Sequence, residues 1–175
     1  MHYLKQDLNR LIKYGQGLGL KITIKPYVEG SDDAGYWYTD GTEVTLFKWK
    51  NQSLTNLVLI CLHELAHHLS YRYAGNTLDK KYLAALDADY KRAPSDPPIK
   101  KSLRKAIYLK ELNDTQYQDA IALETGLRIP KWKIDAEKDL DIWIYHSYYE
   151  NGVYPSAKEK TKKRKELRRK YYETI

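Results

Sequence analysis

The chain holds one cysteine, Cys61, so it cannot close an intrachain disulfide. That fits a reducing compartment such as the cytoplasm. Long apolar runs are also missing. The longest uninterrupted one, residues 57–62, is far short of the roughly 20 residues a membrane span needs, which excludes a spanning helix and a membrane partner. The first residues, MHYLKQDLNRLIKYG, lack an apolar signal core and read as an amphipathic helix instead. No internal repeat is visible, and compositional bias is confined to the C-terminal end. Tyrosine is abundant: 17 of these rings supply much of the 42% hydrophobic content, so a modest core rich in amphipathic rings is expected. The length suits one domain with a real core.

Charge is unevenly placed. Residues 156–175 hold nine Lys/Arg against three Glu, nearly the whole net charge of +7, and residues 1–155 are close to neutral. The sequence thus divides into a body, 1–155, and a basic tail, 156–175. Leu167, Tyr171 and Tyr172 give the tail little apolar surface for a packed helix. Two roles fit it: a solvated, partly disordered solubility feature, or a weak, sequence-independent contact to nucleic acid.

Periodicity orders the body. Leu4, Leu8, Leu11 and Ile12 recur at helical spacing, and Gly15, Gly17 and Gly19 are expected to stop that helix. The glycines follow a helix and precede a strand, the reverse of a dinucleotide-binding fingerprint, so that function is excluded. LKITIKPYV predicts a short strand with Pro26 at a sheet edge. Residues 35–50 predict a hairpin turning on a two-residue Asp40-Gly41 loop, with residues 42–48 at the edge of the sheet. Residues 51–53 offer an N-cap, and 54–73 form the most strongly patterned helix, closed by Gly75. Leu78, Tyr82, Leu86 and Tyr90 predict a further helix, and three prolines in 92–99 break it. Later helices are expected around 103–107, from a cap at 113–115 to about 127, and over about 136–149. The fold class is α+β, a small sheet packed on the 54–73 helix with additional helices.

That helix contains ICLHELAHHLSY, in which His63-Glu64-Leu65-Ala66-His67 is an H-E-x-x-H sequence. At 3.6 residues per turn, positions 63 and 67 lie about 40° apart and one turn along the axis. Both imidazoles can therefore reach one metal ion from one side. Glu64, about 100° round from His63, can address a water on that metal without ligating it. Zinc lowers the pKa of bound water towards neutrality, so Glu64 can take its proton and later pass it to a departing amine. The bland alternative is two hydrogen-bonded core histidines. The apolar surroundings, Leu59, Ile60, Leu62, Leu65 and Leu69, favour a buried metal site. His68 lies off the ligand face, at the surface or beside a ligand.

Catalytic zinc takes three protein ligands plus water, and position 71 is Tyr, so the metzincin continuation is absent. The third ligand is expected to be a carboxylate on a later helix. NDTQYQDAIALETGLRIP, 113–130, offers Asp119 and Glu124, which lie roughly 140° apart on a helix and cannot both face one metal. Helix phase sets Glu124 nearer the apolar face of Tyr117, Ala120 and Leu127. Asp87, Asp89 and Glu111 are weaker alternatives. His146, Tyr145, Tyr148 or Tyr149 is placed to donate to an oxyanion only if it reaches the site; packing at a helix–core boundary is the commoner role of such residues.

A hairpin, then HELAH, then DAIALETGLRIP resembles the minimal zincin core of the ImmA/IrrE-type metallopeptidases over roughly residues 20–130. A looser similarity, to Spartan/SprT-type proteases that act on DNA-bound proteins, rests on the same motif plus the basic tail. The first resemblance implies a minimal zincin-like domain and zinc-dependent hydrolysis of peptide bonds in a protein substrate. It implies zinc on His63, His67 and Asp119, with Glu64 as general base. In its alignment Asp119-Ala120 takes a Glu-Ala place, Leu123 a buried apolar place, and Leu127 with Pro130 the end. Asp stands where the family has Glu, Glu124 stands where a small residue is expected, and residues 75–112 read as an insertion. The intact Glu64 favours an enzyme over a zincin-like module that only binds protein or nucleic acid.

Overall fold

The computed structural model describes residues 2–27, 34–50, 52–93 and 95–174. Val28, Asn51 and Pro94, named above for the first strand, the N-cap and the proline break, lie outside them. The elements are α1 (His2–Gly17), β1 (Lys21–Pro26), β2 (Gly35–Trp37), β3 (Glu43–Lys48), α2 (Leu54–Tyr73), α3 (Lys80–Tyr90), α4 (Lys101–Thr115), α5 (Tyr117–Glu124), α6 (Lys131–Asn151) and α7 (Ala157–Tyr172). The fold is α+β. No helix among the described residues is long and apolar enough to cross a membrane. The chain forms two compact units, one of residues 1–76 with 116–130, the other of 77–115 with 131–175. The break at 155/156 expected from charge is therefore not a boundary between them. Of the segment that reads as an insertion, 75–112, all but its first two residues belongs to the second unit.

In the first unit the strands run in the order β1-β3-β2. β3 is central, not the edge expected of it, because β1 pairs with it in parallel, Ile22 opposite Val44 and Ile24 opposite Leu46. β2 pairs with the other side of β3 antiparallel, Trp37 opposite Val44. β3 accordingly reads Val44, Thr45, Leu46, all buried, as a strand between two neighbours should. Five residues, 38–42, connect β2 and β3 rather than two, and the Tyr38 amide donates to the Glu43 carbonyl (3.0 Å). Asp40 Oδ1 accepts from the Thr42 amide (3.0 Å) and hydroxyl (2.7 Å), and Gly41 takes φ +75°.

α1 continues through Gly15 to Gly17 and turns at Gly19, φ +90°. Gly15 does not stop it; the missing side chain lets α1 press on Ile22 and Leu65. Asp7, fully buried on α1, accepts from the amides of Arg128 (3.1 Å) and Ile129 (3.0 Å). That carboxylate fixes the segment after α5 and so the placement of α5 itself. α2 begins at an N-cap, Ser53, whose side chain accepts from the Asn56 amide, and closes at Gly75, φ +70°.

In the second unit, residues 113–115 end α4 instead of capping the next helix, and the Thr115 hydroxyl donates to the Leu112 carbonyl. Tyr82, Ala85, Ile107 and Tyr148 form a core from α3, α4 and α6. The basic tail is not a loose extension. It folds as α7 under a capping box, Ser156 with Glu159, and packs Leu167 against Ala136 and Leu140 of α6. Polar contacts supply what apolar area does not: Arg164 binds Glu137 through Nε (3.0 Å) and Nη2 (2.7 Å), and Tyr171 donates to Asp139 (2.7 Å).

Candidate functional site

α2 buries Leu57, Val58, Cys61, Leu62 and Leu65, the 3–4 spacing of a core stripe. His63, Glu64 and His67 stand beside that stripe, within the first unit. The rings of His63 and His67 meet nearly edge-on at 88°, with Nε2 atoms 3.1 Å apart. Two nitrogens on one tetrahedral zinc at ~2.0–2.1 Å stand roughly 3.3–3.4 Å apart, so the pair fits a shared ion with almost no movement. The same spacing fits an imidazole–imidazole hydrogen bond, which is what two neutral rings make without an ion.

α5 supplies the next group, and it is Gln118. Gln118 is 1% exposed, and its amide nitrogen lies 3.3 Å from His63 Nδ1. As placed, that N–H donates to Nδ1; with the amide turned over, its carbonyl accepts a proton from Nδ1 and leaves the ring Nε2 free to ligate. Sequence reasoning missed Gln118 because it looked for carboxylates. Gln118 and Ile121, one turn apart, are the buried positions of α5, and no local pattern marks that rotation of the helix.

The β2 strand crowds the other flank. Gly35 approaches so closely that a Cβ there would lie 3.0 Å from Glu64 Oε1 and 2.9 Å from Ile60 Cγ2. Glu64, 7% exposed, therefore lies against the backbone of a strand at the end of the sheet order. Trp37 from the same strand stacks on His67 (6.2 Å between centroids, 24°) and donates its indole N–H to His68 Nδ1 at 3.4 Å. His68 is thus buried, not at the surface, and burial, reinforced by the Arg72 charge, lowers its pKa. Cys61 is fully buried, and burial followed by the Glu64 charge drives its thiol pKa far up, so it is no nucleophile or thiolate ligand at neutral pH.

The carboxylates divide by environment. Asp119 is half-buried on α5 and, among the described residues, joins no cluster with His63 and His67 whose ligand atoms lie within 4.8 Å of one another. Glu124 is exposed and accepts from Tyr14 at 3.0 Å; burial, and then that bond, lifts the Tyr14 phenol to about 12. It does not lie at the centre of an apolar face. Leu123, assigned a buried place by alignment, is 85% exposed, and Ala120 is exposed too. α5 turns Gln118 and Ile121 inward instead.

In the second unit Asp87 pairs with Lys91 (2.8 Å), and Asp89 accepts from Tyr148 and faces Arg92 (3.5 Å). Glu111 is buried on α4, and its charge, after burial itself, raises the pKa of Tyr145. Tyr148 stacks on Tyr154 (4.0 Å), and Tyr149 stacks on Tyr108 (5.8 Å) with His146 edge-on to both rings. With Tyr145 edge-on to Tyr154, the four candidates Tyr145, His146, Tyr148 and Tyr149 make aromatic packing along α6. Searched against family models, curated proteins and solved structures, the chain matches none.

Proposed function

We propose that the first unit is a zinc-dependent metallopeptidase of the kind the ImmA/IrrE-type resemblance implies, cutting a peptide bond in a protein substrate. The observation that carries this reading is the His63–His67 pair, Nε2 to Nε2 at 3.1 Å, with Glu64 next to His63 and against an end strand. Zinc held there by His63 and His67 would polarise the scissile carbonyl and acidify water. Glu64 accepts a proton from the attacking water as its oxygen bonds the carbonyl carbon. It then gives that proton to the amine as the C–N bond breaks. Burial beside β2 keeps Glu64 in one position for both transfers. An extended substrate added to the outer side of β2 by main-chain hydrogen bonds would pass the same carboxylate, which gives the short strand a role.

The test is metal analysis of the purified chain followed by a proteome-wide search for fragments that accumulate when it is present. About one zinc per chain is expected. Absence of zinc after purification without chelators, together with no uptake of added zinc, would end the proposal.

The ligand set is tested by zinc affinity in single variants. Glu124→Gln is expected to leave affinity unchanged, since Glu124 is exposed and bonded to Tyr14. Gln118→Ala is expected to lower it about 10–100-fold, the usual effect of losing the group that orients a ligating histidine. Asp119→Asn and Glu111→Gln assign the third ligand, which the resemblance sets on Asp119; the larger loss identifies it. Unchanged affinity in Gln118→Ala would reduce Gln118 to a packing residue.

A further inference from the structure

We infer that the outer face of α7 is a docking surface for the phosphate backbone of nucleic acid, through Lys158, Lys162, Lys165 and Arg169. At 3.6 residues per turn these four positions fall within about 60° of one another and span about 16 Å of helix axis. All four are exposed, and the buried Leu167 lies on the opposite side of the helix. Three other cations of α7 have different duties. Arg164 and Arg168 face Glu137 of α6, and Lys163 bonds Glu166 (2.8 Å). Lys158, Lys162 and Lys165 make no hydrogen bond or ion pair among the described residues, and Arg169 pairs with Glu173 at 3.8 Å; the Glu166 charge also acts on Lys162 and Arg169.

The acids near this face do not cancel it. Glu159 is taken up by the Ser156 cap and Glu166 by Lys163. On α6, Glu137 and Asp139 are occupied by the inner side of α7, and Asp135 binds Lys131 (2.6 Å). α7 is therefore split into an inner face that neutralises α6 and an outer row of cations held straight by the docked helix. A rigid row of like charge is costly unless it meets a polyanion, and nucleic acid presents phosphates at closely repeated intervals. An anionic membrane is the poorer match, because the row carries no large apolar side chain between its cations to enter a bilayer surface. Residues 157–172 contain no Asn or Gln to read adenine, and a row of cations along one helix face matches the evenly spaced phosphates, so binding is expected to ignore sequence.

The experiment measures fluorescence anisotropy of labelled 20-base-pair DNA and of a single strand, each of two unrelated sequences, with the full chain at two salt concentrations. Wild type is expected to bind both sequences equally, with affinity falling steeply as salt rises. The variant carrying Lys158→Gln, Lys162→Gln, Lys165→Gln and Arg169→Gln is expected to lose at least about tenfold in affinity, with the slope of log K against log salt reduced by about 3. A matched control, Lys5→Gln, Lys13→Gln, Lys80→Gln and Lys105→Gln, carries the same net charge and should keep most of the binding. Equal loss in both variants would mean that net charge alone acts, and the proposal would fall. It would fall equally if phosphatidylserine vesicles bound wild type more tightly than DNA did. Circular dichroism checks that each variant keeps its helix content, and the double variant Lys162→Gln, Lys165→Gln replaces the quadruple one if it does not.

Discussion

Glu64→Gln is expected to retain zinc and helix content while lowering peptide cleavage by at least about two orders of magnitude, roughly 2.7 kcal/mol of barrier. Glutamine has nearly the same shape, so the contact with Gly35 and the packing of α2 on β2 survive. What it removes is the acceptor for the water proton, and with it the donor to the leaving amine. Both transfers pass through one carboxylate, so the loss falls on kcat rather than on substrate affinity. The measurement is cleavage of whichever partner the fragment search identifies, with zinc content and melting temperature recorded on the same samples. Equal turnover by wild type and variant, with zinc present in both, would move the chemistry to another residue. Loss of zinc together with activity would give Glu64 a structural part in the site instead.

Alternation and helical spacing were enough to find the strands and most of the helices, because burial there follows local pattern: Val44 and Leu46 in β3, or Leu57, Cys61, Leu62 and Leu65 in α2. Strand order was not legible. Whether β3 lies at an edge depends on where β1 returns, and nothing in LKITIKPYV states its partner. The tail was misjudged for a different reason. Its apolar area is small, but Glu137 and Asp139, some 30 residues earlier, wait for Arg164 and Tyr171. Such long-range polar pairing leaves no local trace.

The site shows the same division. His63, Glu64 and His67 are fixed by helix geometry alone, so spacing was sufficient to bring two imidazoles to a common point. The contribution of α5 depended on its rotation about its own axis. With Ala120 and Leu127 taken as the inner face, Gln118 is invisible; with Gln118 and Ile121 inward, Ala120 and Leu123 turn to solvent. Trp37 and Gly35 could not have been found either, since their closeness to His67, His68 and Glu64 exists only once β2 has paired with β3 and lain on α2.

Chelation of the wild-type protein is expected to lower its melting temperature by about 10 °C, while His63→Ala and His67→Ala remove both the zinc and that response. An ion that binds only the folded chain stabilises it by about 4 kcal/mol when present at a thousandfold its dissociation constant. For a chain of this size each kcal/mol shifts the midpoint by about 2–4 °C. The ion would also replace the direct His63–His67 contact, so that neither ring relies on the other for a partner. Truncating one ring leaves the second with one fewer donor to share the ion, and affinity collapses. Melting curves of the three proteins, with zinc and with chelator, give the result directly. Because His63 and His67 belong to the first unit, a protein whose units melt separately should show the shift in one transition only. Wild type that melts at the same temperature in zinc and in chelator, and carries no metal, would leave two hydrogen-bonded histidines in a structural helix.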